Sequence, residues 1–372
     1  MRRNSLDKIK NSIQFAYDRY RVFQIKRSAE MYYNRFLKSY GKIKRPDPTE
    51  YIKYWKRLSN FVDPTGFHIH YTLHGFKDIQ MVPNAVYKAF IEPCLNDYTM
   101  SKVYQDKNSY DRLLNRDFLP KTYLRNMAGV YYDREYKLLN DQQVRDILKA
   151  LPKKINKVIL KPTLVTGGRN KVRFVDFNLE IITKEYLQEN YHQNFIIEEF
   201  IEQNEYFDQL GTTCSMRFNT YRSVSDNSIF VHEMNCSFNS GIGPDRSQYI
   251  NNTIAINESG KIGSISLTPL RQVCSATPDG TKSFSEMKPI PEFNELRKVA
   301  AITALSYPYH RRLGFDMIVD KKGKVYIFEV NVGRLGFNIS QYLGGGLFKE
   351  YTEEVIKYCN NNKSKIHFPF TQ

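Results

Sequence analysis

Apolar residues in the first forty positions recur at close to helical spacing. Ile9, Ile13, Ala16, Tyr17 and Tyr20 are followed by Ile25, Tyr32 and Phe36, with Lys8, Lys10, Arg19, Arg21, Lys26 and Arg27 between them. This predicts one or two basic amphipathic helices. They end near Gly41, ahead of the Arg45-Pro46-Asp47-Pro48 break. From Val82 onward, helical and strand-like periods alternate. Tyr87 to Leu95, Lys107 to Asn115, Asp141 to Leu151 and Glu295 to Leu305 read as helices. Strands are predicted at Lys157 to Lys161, Val172 to Val175, Phe195 to Ile197, Met216 to Val224, Ser228 to Glu233 and Thr253 to Ile256. Phe315 to Val319 and Lys324 to Val330 form a hairpin, and no internal repeat interrupts the order.

The length of 372 residues argues for two or three packed sub-domains. With 41% hydrophobic and 25% charged residues, the chain has the apolar material for a core. No apolar run approaches the roughly 18 residues that span a bilayer. Asp7, Lys8, Lys10 and Asn11 interrupt any signal-peptide core behind Arg2 and Arg3, so a cytoplasmic location is expected. Cys94, Cys214, Cys236, Cys274 and Cys359 are odd in number and scattered, which predicts reduced thiols. The seven histidines form no metal-spaced set; His68 and His70 are expected on one strand face. No Cys/His or Ser/His pair is evident.

Charge changes the picture more. A net charge of +16 points to an anionic partner: nucleic acid, an acidic membrane surface or phosphorylated substrates. Residues 1–60 hold sixteen Lys or Arg against five Asp or Glu, a balance of +11 that leaves +5 for the rest. No helix-turn-helix, RRM-like or zinc-finger pattern is present, so no nucleic-acid partner is expected. The apolar stripe and basic face of residues 1–40 suit peripheral binding to an anionic membrane, on its inner face for a cytoplasmic protein. Each basic residue near such a surface is worth on the order of 1 kcal/mol.

Three local constellations carry candidate chemistry. In Val325-Tyr326-Ile327-Phe328-Glu329-Val330-Asn331, strand alternation puts Glu329 and Asn331 on one face. A four-residue loop at Asp320-Lys321-Lys322-Gly323 would set Val319 opposite Lys324 and bring Asp316 to that face, and a two-residue Lys322-Gly323 turn gives the same parity. Asp, Glu and Asn oxygens are the hard donors Mg²⁺ takes when phosphates and water complete its shell. Upstream, Lys161 closes a β run before a turn holding Gly167 and Gly168, whose backbone N–H groups suit phosphates. This turn matches neither the P-loop nor the dinucleotide fingerprint. Finally, in Ile196-Ile197-Glu198-Glu199-Phe200-Ile201-Glu202-Gln203-Asn204-Glu205, acids stand where a strand exits into a linker, suited to an adenine edge and a ribose diol.

In this order the features resemble the ATP-grasp superfamily, and more narrowly its sugar-transfer-associated branch. The resemblance begins at Val82-Pro83-Asn84-Ala85-Val86-Tyr87 and Ile91-Glu92-Pro93-Cys94-Leu95-Asn96. It continues through Asp106-Lys107-Asn108-Ser109-Tyr110-Asp111, Pro120-Lys121-Thr122, Lys161-Pro162 and Glu198-Glu199-Phe200-Ile201. It closes on Gly314-Phe315-Asp316 and Glu329-Val330-Asn331. The thirteen residues from Asp316 to Glu329, and two more to Asn331, are similar to the metal signature of the amide-forming members.

The resemblance implies an α+β ATP-grasp fold, two α+β lobes clasping ATP. A basic, mainly helical extension would occupy residues 1–75 and the catalytic region 76–372. Within the latter, 106–205 would be the nucleotide-binding lobe, with a phosphate loop near 161–171 and a hinge near 198–205. Residues 206–372 would form the C-terminal lobe with the metal site. Lys107 and Lys161 take the role of phosphate-reaching lysines, and Gly167 and Gly168 that of the phosphate-covering loop. Glu199, Phe200 and Ile201 meet adenine through their backbone, Glu198 lies near its amine, and Glu205 binds ribose. Asp316, Glu329 and Asn331 hold two Mg²⁺. Arg217 is the choice for an anion-stabilising residue and Arg334 for binding a substrate carboxylate.

The chain also departs from the pattern. Cys214-Ser215 replaces an Asn-Thr pair, Asn235 stands for an arginine, and Asn251-Asn252 stand for paired glycines. Arg311 and Arg312 precede Asp316 by five and four residues, where the D-alanine ligases have an arginine two residues before.

The implied activity is an ATP-dependent carboxylate–amine ligase working through an acyl-phosphate. Its substrates would be a small-molecule carboxylate and an amine, one of them a sugar or sugar-nucleotide, in surface-polysaccharide assembly. The alternatives are a kinase acting on a sugar or polyol, and a non-catalytic scaffold that grips membrane or nucleic acid.

Overall fold

The computed structural model describes residues 43–164, 172–211, 214–239, 251–268, 272–333 and 335–363, with scattered helical positions between Ser12 and Arg27. Most of the predicted basic helices therefore lies outside the described residues. The chain forms two compact units. The larger comprises Met1–Ser101, Glu205–Asp316 and Asn331–Gln372; the smaller comprises Lys102–Asn204 and Met317–Val330.

The larger unit opens with α1 (Thr49–Lys56) and α2 (Thr65–His74). α1 buries Tyr51 and Trp55, one turn apart, and the Trp55 indole N–H donates to Ile79 O at 3.0 Å. α2 corrects the strand expected around His68 and His70. Phe67, His68, Ile69 and His70 are buried in succession, so the helix has no polar face to mark its period. Residues two apart on a helix do not share a face.

The smaller unit is an antiparallel sheet of β1 (Thr122–Met127), β2 (Val130–Tyr132), β3 (Lys157–Pro162), β4 (Arg173–Asp176) and β5 (Phe195–Glu199), in the order β2-β1-β5-β3-β4. Helices α3 (Asp141–Lys154) and α4 (Lys184–Tyr191) complete it. A reciprocal capping box of Asn140 and Gln143 starts α3, with both bonds at 2.9 Å. Its Val144, Leu148 and Leu151 form a core with Leu187 of α4 and with Leu124, Val158, Leu160, Val175, Phe195 and Ile197 of the strands. One face of this sheet is thus apolar. Strand alternation commits the other to Arg125, Ile159, Lys161, Ile196 and Glu198.

The remainder of the larger unit is an antiparallel sheet of β6 (Cys214–Arg222), β7 (Ile229–Asn239), β8 (Asn251–Ile256), β9 (Ile262–Leu267), β10 (Val273–Cys274) and β11 (Arg312–Val319), in the order β10-β9-β8-β7-β6-β11. It carries α5 (Phe293–Ala304), α6 (Asn338–Gly344) and α7 (Thr352–Asn362). β11 enters the smaller unit at Met317, and β12 (Val325–Asn331) leaves it at Asn331. The hairpin is present as predicted, but its turn closes one residue tighter. Asp320 N–H donates to Lys324 O at 2.9 Å, so Asp320 faces Lys324. Gly323 supplies the left-handed backbone, φ 83°, that the turn requires.

None of the five cysteines forms a disulfide. Among the described residues no helix is long and apolar enough to cross a membrane.

Several histidines are buried in the larger unit, and burial lowers their pKa. His310, 1% exposed and bonded to Ser101 Oγ at 2.8 Å, is brought down to about 4. The unfolded chain then binds a proton between pH 6.5 and 4 that the folded chain refuses. Stability therefore falls as pH drops through this window. Between pH 7 and 5.5, His310 is expected to remove roughly 1 kcal/mol. Denaturant unfolding of His310→Gln at the two pH values should show that much less acid sensitivity; equal sensitivities would reject the assignment.

Candidate functional site

In the smaller unit, Lys161 and Glu198 are brought together by sheet register. Lys161 stands opposite Ile196 and Glu198 opposite Ile159, so the two polar residues are diagonal neighbours on the face away from the helices. Lys161 Nζ contacts Glu198 Oε2 at 2.6 Å and donates to Phe328 O at 3.1 Å, with both side chains under a tenth exposed.

Lys107 begins a 3₁₀ turn capped by Asp106, whose carboxylate accepts from Asn108 N–H at 3.0 Å. Lys107 N–H donates to Thr163 O at 3.1 Å, and the Asn108 amide reaches Asn126 O at 3.0 Å and Thr163 Oγ1 at 3.1 Å. Buried Arg125 braces the same turn, reaching Asn108 O at 2.5 Å and Asp111 Oδ2 at 2.8 Å. Burial favours the neutral Asp111 carboxyl, but hydrogen bonds from Arg125 and Tyr136 outweigh it and hold its pKa below the usual value. From this fixed base Lys107 Nζ reaches Glu329 Oε1 at 2.9 Å. Lys107, Glu198, Arg116, Arg134, Ile327 and Phe328 line one recess of the unit.

In the larger unit Arg217 on β6 clamps Asp316 on β11. Its Nε meets Oδ1 at 2.6 Å and its Nη2 meets Oδ2 at 2.7 Å, a bidentate pair. Gly314 on β11 leaves room for the neighbouring Asn219 side chain: a Cβ there would stand 2.7 Å from Asn219 Oδ1. Asn331 Nδ2 lies 3.4 Å from Asp316 Oδ2, so these side chains meet despite the tighter turn.

Sequence reasoning did not find the polar network beside this pair. The β6–β7 register shifts between Arg217 and Asn219, and opposite the shift Glu233 adopts φ 50°. The Asn219 amide donates to Glu233 O at 2.8 Å. Arg312, 0% exposed, bonds the Glu233 carboxylate and the Tyr87 hydroxyl, and its guanidinium lies 4.9 Å from the Tyr87 ring centroid. Burial raises the Glu233 pKa to about 7 against the opposing charge of Arg312. Glu92, also buried, accepts from Leu335 N–H at 2.8 Å and Tyr98 OH at 2.9 Å. The available signal was the arginine that opens β11, ahead of Leu313, Phe315, Met317 and Val319.

The other predicted residues are distributed as follows. Glu199 ends β5, and its N–H already donates to Lys121 O at 2.8 Å; Phe200 packs edge-on against Phe174, and Ile201 is partly buried. Glu205 is exposed at the start of a 3₁₀ helix in the larger unit. Gly167, Gly168 and Arg334 lie outside the described residues.

The model of the sugar-transfer associated ATP-grasp family matches residues 87–356. The chain belongs to that family. The described architecture is accordingly an α+β ATP-grasp fold. No curated protein matches the chain. Among solved structures it is similar to VanG D-Ala:D-Ser ligase from Enterococcus faecalis, with 10% identity over 71% of this chain and 64% of that one and a TM-score of 0.43. Biotin carboxylase from Campylobacter jejuni shows 14% identity, coverages of 72% and 47% and a TM-score of 0.40. L-amino acid ligase from Bacillus licheniformis shows 14%, coverages of 64% and 42%, and 0.35. The chain spans about half the length of several solved structures it matches.

For a metal, the family resemblance nominates Asp316, Glu329 and Asn331. Among the described residues no three His, Cys, Asp or Glu side chains form a metal-holding group. In the larger unit Asp316 and Asn331 stand together, while Glu329 belongs to the smaller unit; carboxylate and amide oxygens are hard donors of the kind Mg²⁺ takes.

Proposed function

We propose that the protein is an ATP-dependent carboxylate–amine ligase that joins an amine to a carboxylate through an acyl-phosphate, with one partner carried on a sugar or sugar-nucleotide. What supports the nucleotide half is Lys161 paired with Glu198 on one sheet face, with Lys107 seated on a braced turn beside Thr163. In this reading both lysines neutralise ATP phosphates, assisted by backbone N–H groups at Gly167 and Gly168. Glu198 receives the adenine amine. With the Glu199 N–H taken, adenine is read by the Glu199 carbonyl and the backbone of Phe200 and Ile201. Glu205 binds ribose.

The substrate carboxylate attacks the γ-phosphorus, the bond from that phosphorus to the β-bridging oxygen breaks, and ADP leaves. The amine then attacks the acyl carbon, phosphate departs, and the amine loses a proton to water. Arg217 stabilises negative charge on the transferring group and Arg334 orients the carboxylate. Asp316, Glu329 and Asn331 would hold Mg²⁺, two ions in this proposal, which would supply charge neutralisation on the phosphates. No protein nucleophile is needed, because positioning and electrostatics lower the barrier. The Ser101–His310 pair, 5% and 1% exposed, is too buried to meet a substrate.

The sugar-linked substrate and a role in surface-polysaccharide assembly are supported by the family's name and the motif order. The test is a thermal-shift screen with ATP and Mg²⁺ against amino acids and uronic acids, followed by mass spectrometry of the products. Inorganic phosphate with an amide is expected. A phosphorylated acceptor would make the protein a kinase, and an absence of nucleotide turnover across the panel would favour a scaffold.

A further inference from the structure

Two cysteines of the larger unit, neither given a role above, face each other across a helix contact. Cys94 lies in the helical run from Asn84 to Leu95, and Cys359 lies on α7. Residues four apart share a helix face, which sets Phe90 beside Cys94 on the first helix and Lys363, the residue capping α7, beside Cys359 on the second. The faces meet in two pairs: Cys94 Sγ is 4.0 Å from Cys359 O, and Lys363 Nζ is 5.9 Å from the Phe90 ring centroid. Each helix is pinned separately. Leu95 O accepts from Arg311 N–H at 2.9 Å, and the Asn360 amide of α7 donates to Arg57 O at 3.0 Å.

The two thiols differ in their surroundings. Cys359 is fully buried, whereas Cys94 is partly exposed and open to a small molecule from solvent. A hydrogen bond with Cys359 lowers the Cys94 pKa; burial opposes the shift and the charge of Lys363 assists it. The same hydrogen bond, together with burial, raises the pKa of Cys359. Cys94 is therefore the nucleophile of the pair, and Cys359 keeps its proton. We propose that Cys94 and Cys359 form a thiol–disulfide exchange site whose substrate is a low-molecular-weight disulfide, and whose oxidised form staples α7 to the Asn84–Leu95 helix. The Cys94 thiolate attacks one sulfur of R–S–S–R, forming a mixed disulfide and expelling RS⁻. Cys359 gives its proton to that RS⁻, and its sulfur attacks Cys94 Sγ. The second RS⁻ leaves and takes up the proton that Cys94 lost on ionising. Two cysteine thiols are oxidised by two electrons and R–S–S–R is reduced to two RSH. The site uses none of the residues assigned above to nucleotide, metal or substrate, so it stands or falls separately from the ligase reading.

The test treats the folded full chain with oxidised glutathione, blocks the remaining thiols with N-ethylmaleimide and maps the pairing by peptide mass spectrometry. The wild type is expected to yield an intramolecular Cys94–Cys359 disulfide that excess reduced glutathione reverses. Cys359→Ser should stop with glutathione attached to Cys94, and Cys94→Ser should leave Cys359 unoxidised. Brief iodoacetamide treatment of the native wild type should modify Cys94 at least about five-fold faster than Cys274, which is also partly exposed. A wild type in which Cys94 and Cys359 stay unlinked overturns the proposal, and that result needs no variant to fold. Labelling of Cys94 no faster than Cys274, or glutathione collecting on Cys359 in Cys94→Ser, would equally reject Cys94 as the nucleophile.

Discussion

Replacing Asp316 with asparagine is expected to reduce Mg²⁺-dependent ATP turnover by about a thousand-fold or more. Charge neutralisation on the transferring phosphoryl group is the main chemical service such a site performs, and one oriented electrostatic partner commonly contributes 10²- to 10³-fold. Asparagine keeps the shape and one oxygen but loses the charge that holds a dication. It also releases the bidentate grip of Arg217, whose distances of 2.6 and 2.7 Å mark a strong charge-assisted pair. ADP release should be measured under the conditions that support wild-type turnover, with circular dichroism as the folding control. Undiminished release would remove Asp316 from the metal site and with it the mechanism proposed above.

The second large effect concerns stability. Arg312→Met should destabilise the larger unit by about 3–5 kcal/mol, lowering its unfolding midpoint by roughly 10 °C. Arg312 is fully enclosed, bonded to Glu233 and Tyr87, and its backbone is tied to Asn96: Arg312 N–H donates to Asn96 Oδ1 at 2.9 Å, and the Asn96 amide donates to Arg312 O at 2.7 Å. Methionine fills much of the volume but strands the Glu233 carboxyl without its cation. The double variant Arg312→Met with Glu233→Gln should recover part of the loss, since it removes the stranded charge as well. A double variant no more stable than Arg312→Met would show that packing, not charge, dominates at this position.

The two cases also show what could be read before the structure. The spacing of Asp316, Glu329 and Asn331 was legible as a motif because it is local to one hairpin, whereas the approach of Asn331 to Asp316, at 3.4 Å, is set by the pairing of the strands. Lys161 and Glu198 were legible as separate motifs, but their contact depends on the β3–β5 register, which no local pattern states. The loop length assumed for Asp320 to Gly323 was off by one residue, a small error that reverses facing in any parity argument. Helix α2 was missed because four consecutive buried residues erase the amphipathic period. The Glu233–Arg312–Tyr87 cluster joins segments up to 225 residues apart, and the bulge that positions Glu233 comes from pairing rather than composition.

The path of the chain through the two units has a consequence for biosynthesis. Lys107 belongs to the smaller unit's first segment, but its partner Glu329 lies 222 residues later in the returning hairpin. Arg125 and Lys161 leave the ribosome long before that hairpin exists. The smaller unit therefore waits, with its cationic sheet face incomplete, until residues 317–330 are made, and non-local closures of this kind are the slow steps of folding. Translation that stops short of Val330 would leave the smaller unit without its returning hairpin and the larger unit without its segment from Asn331 onward.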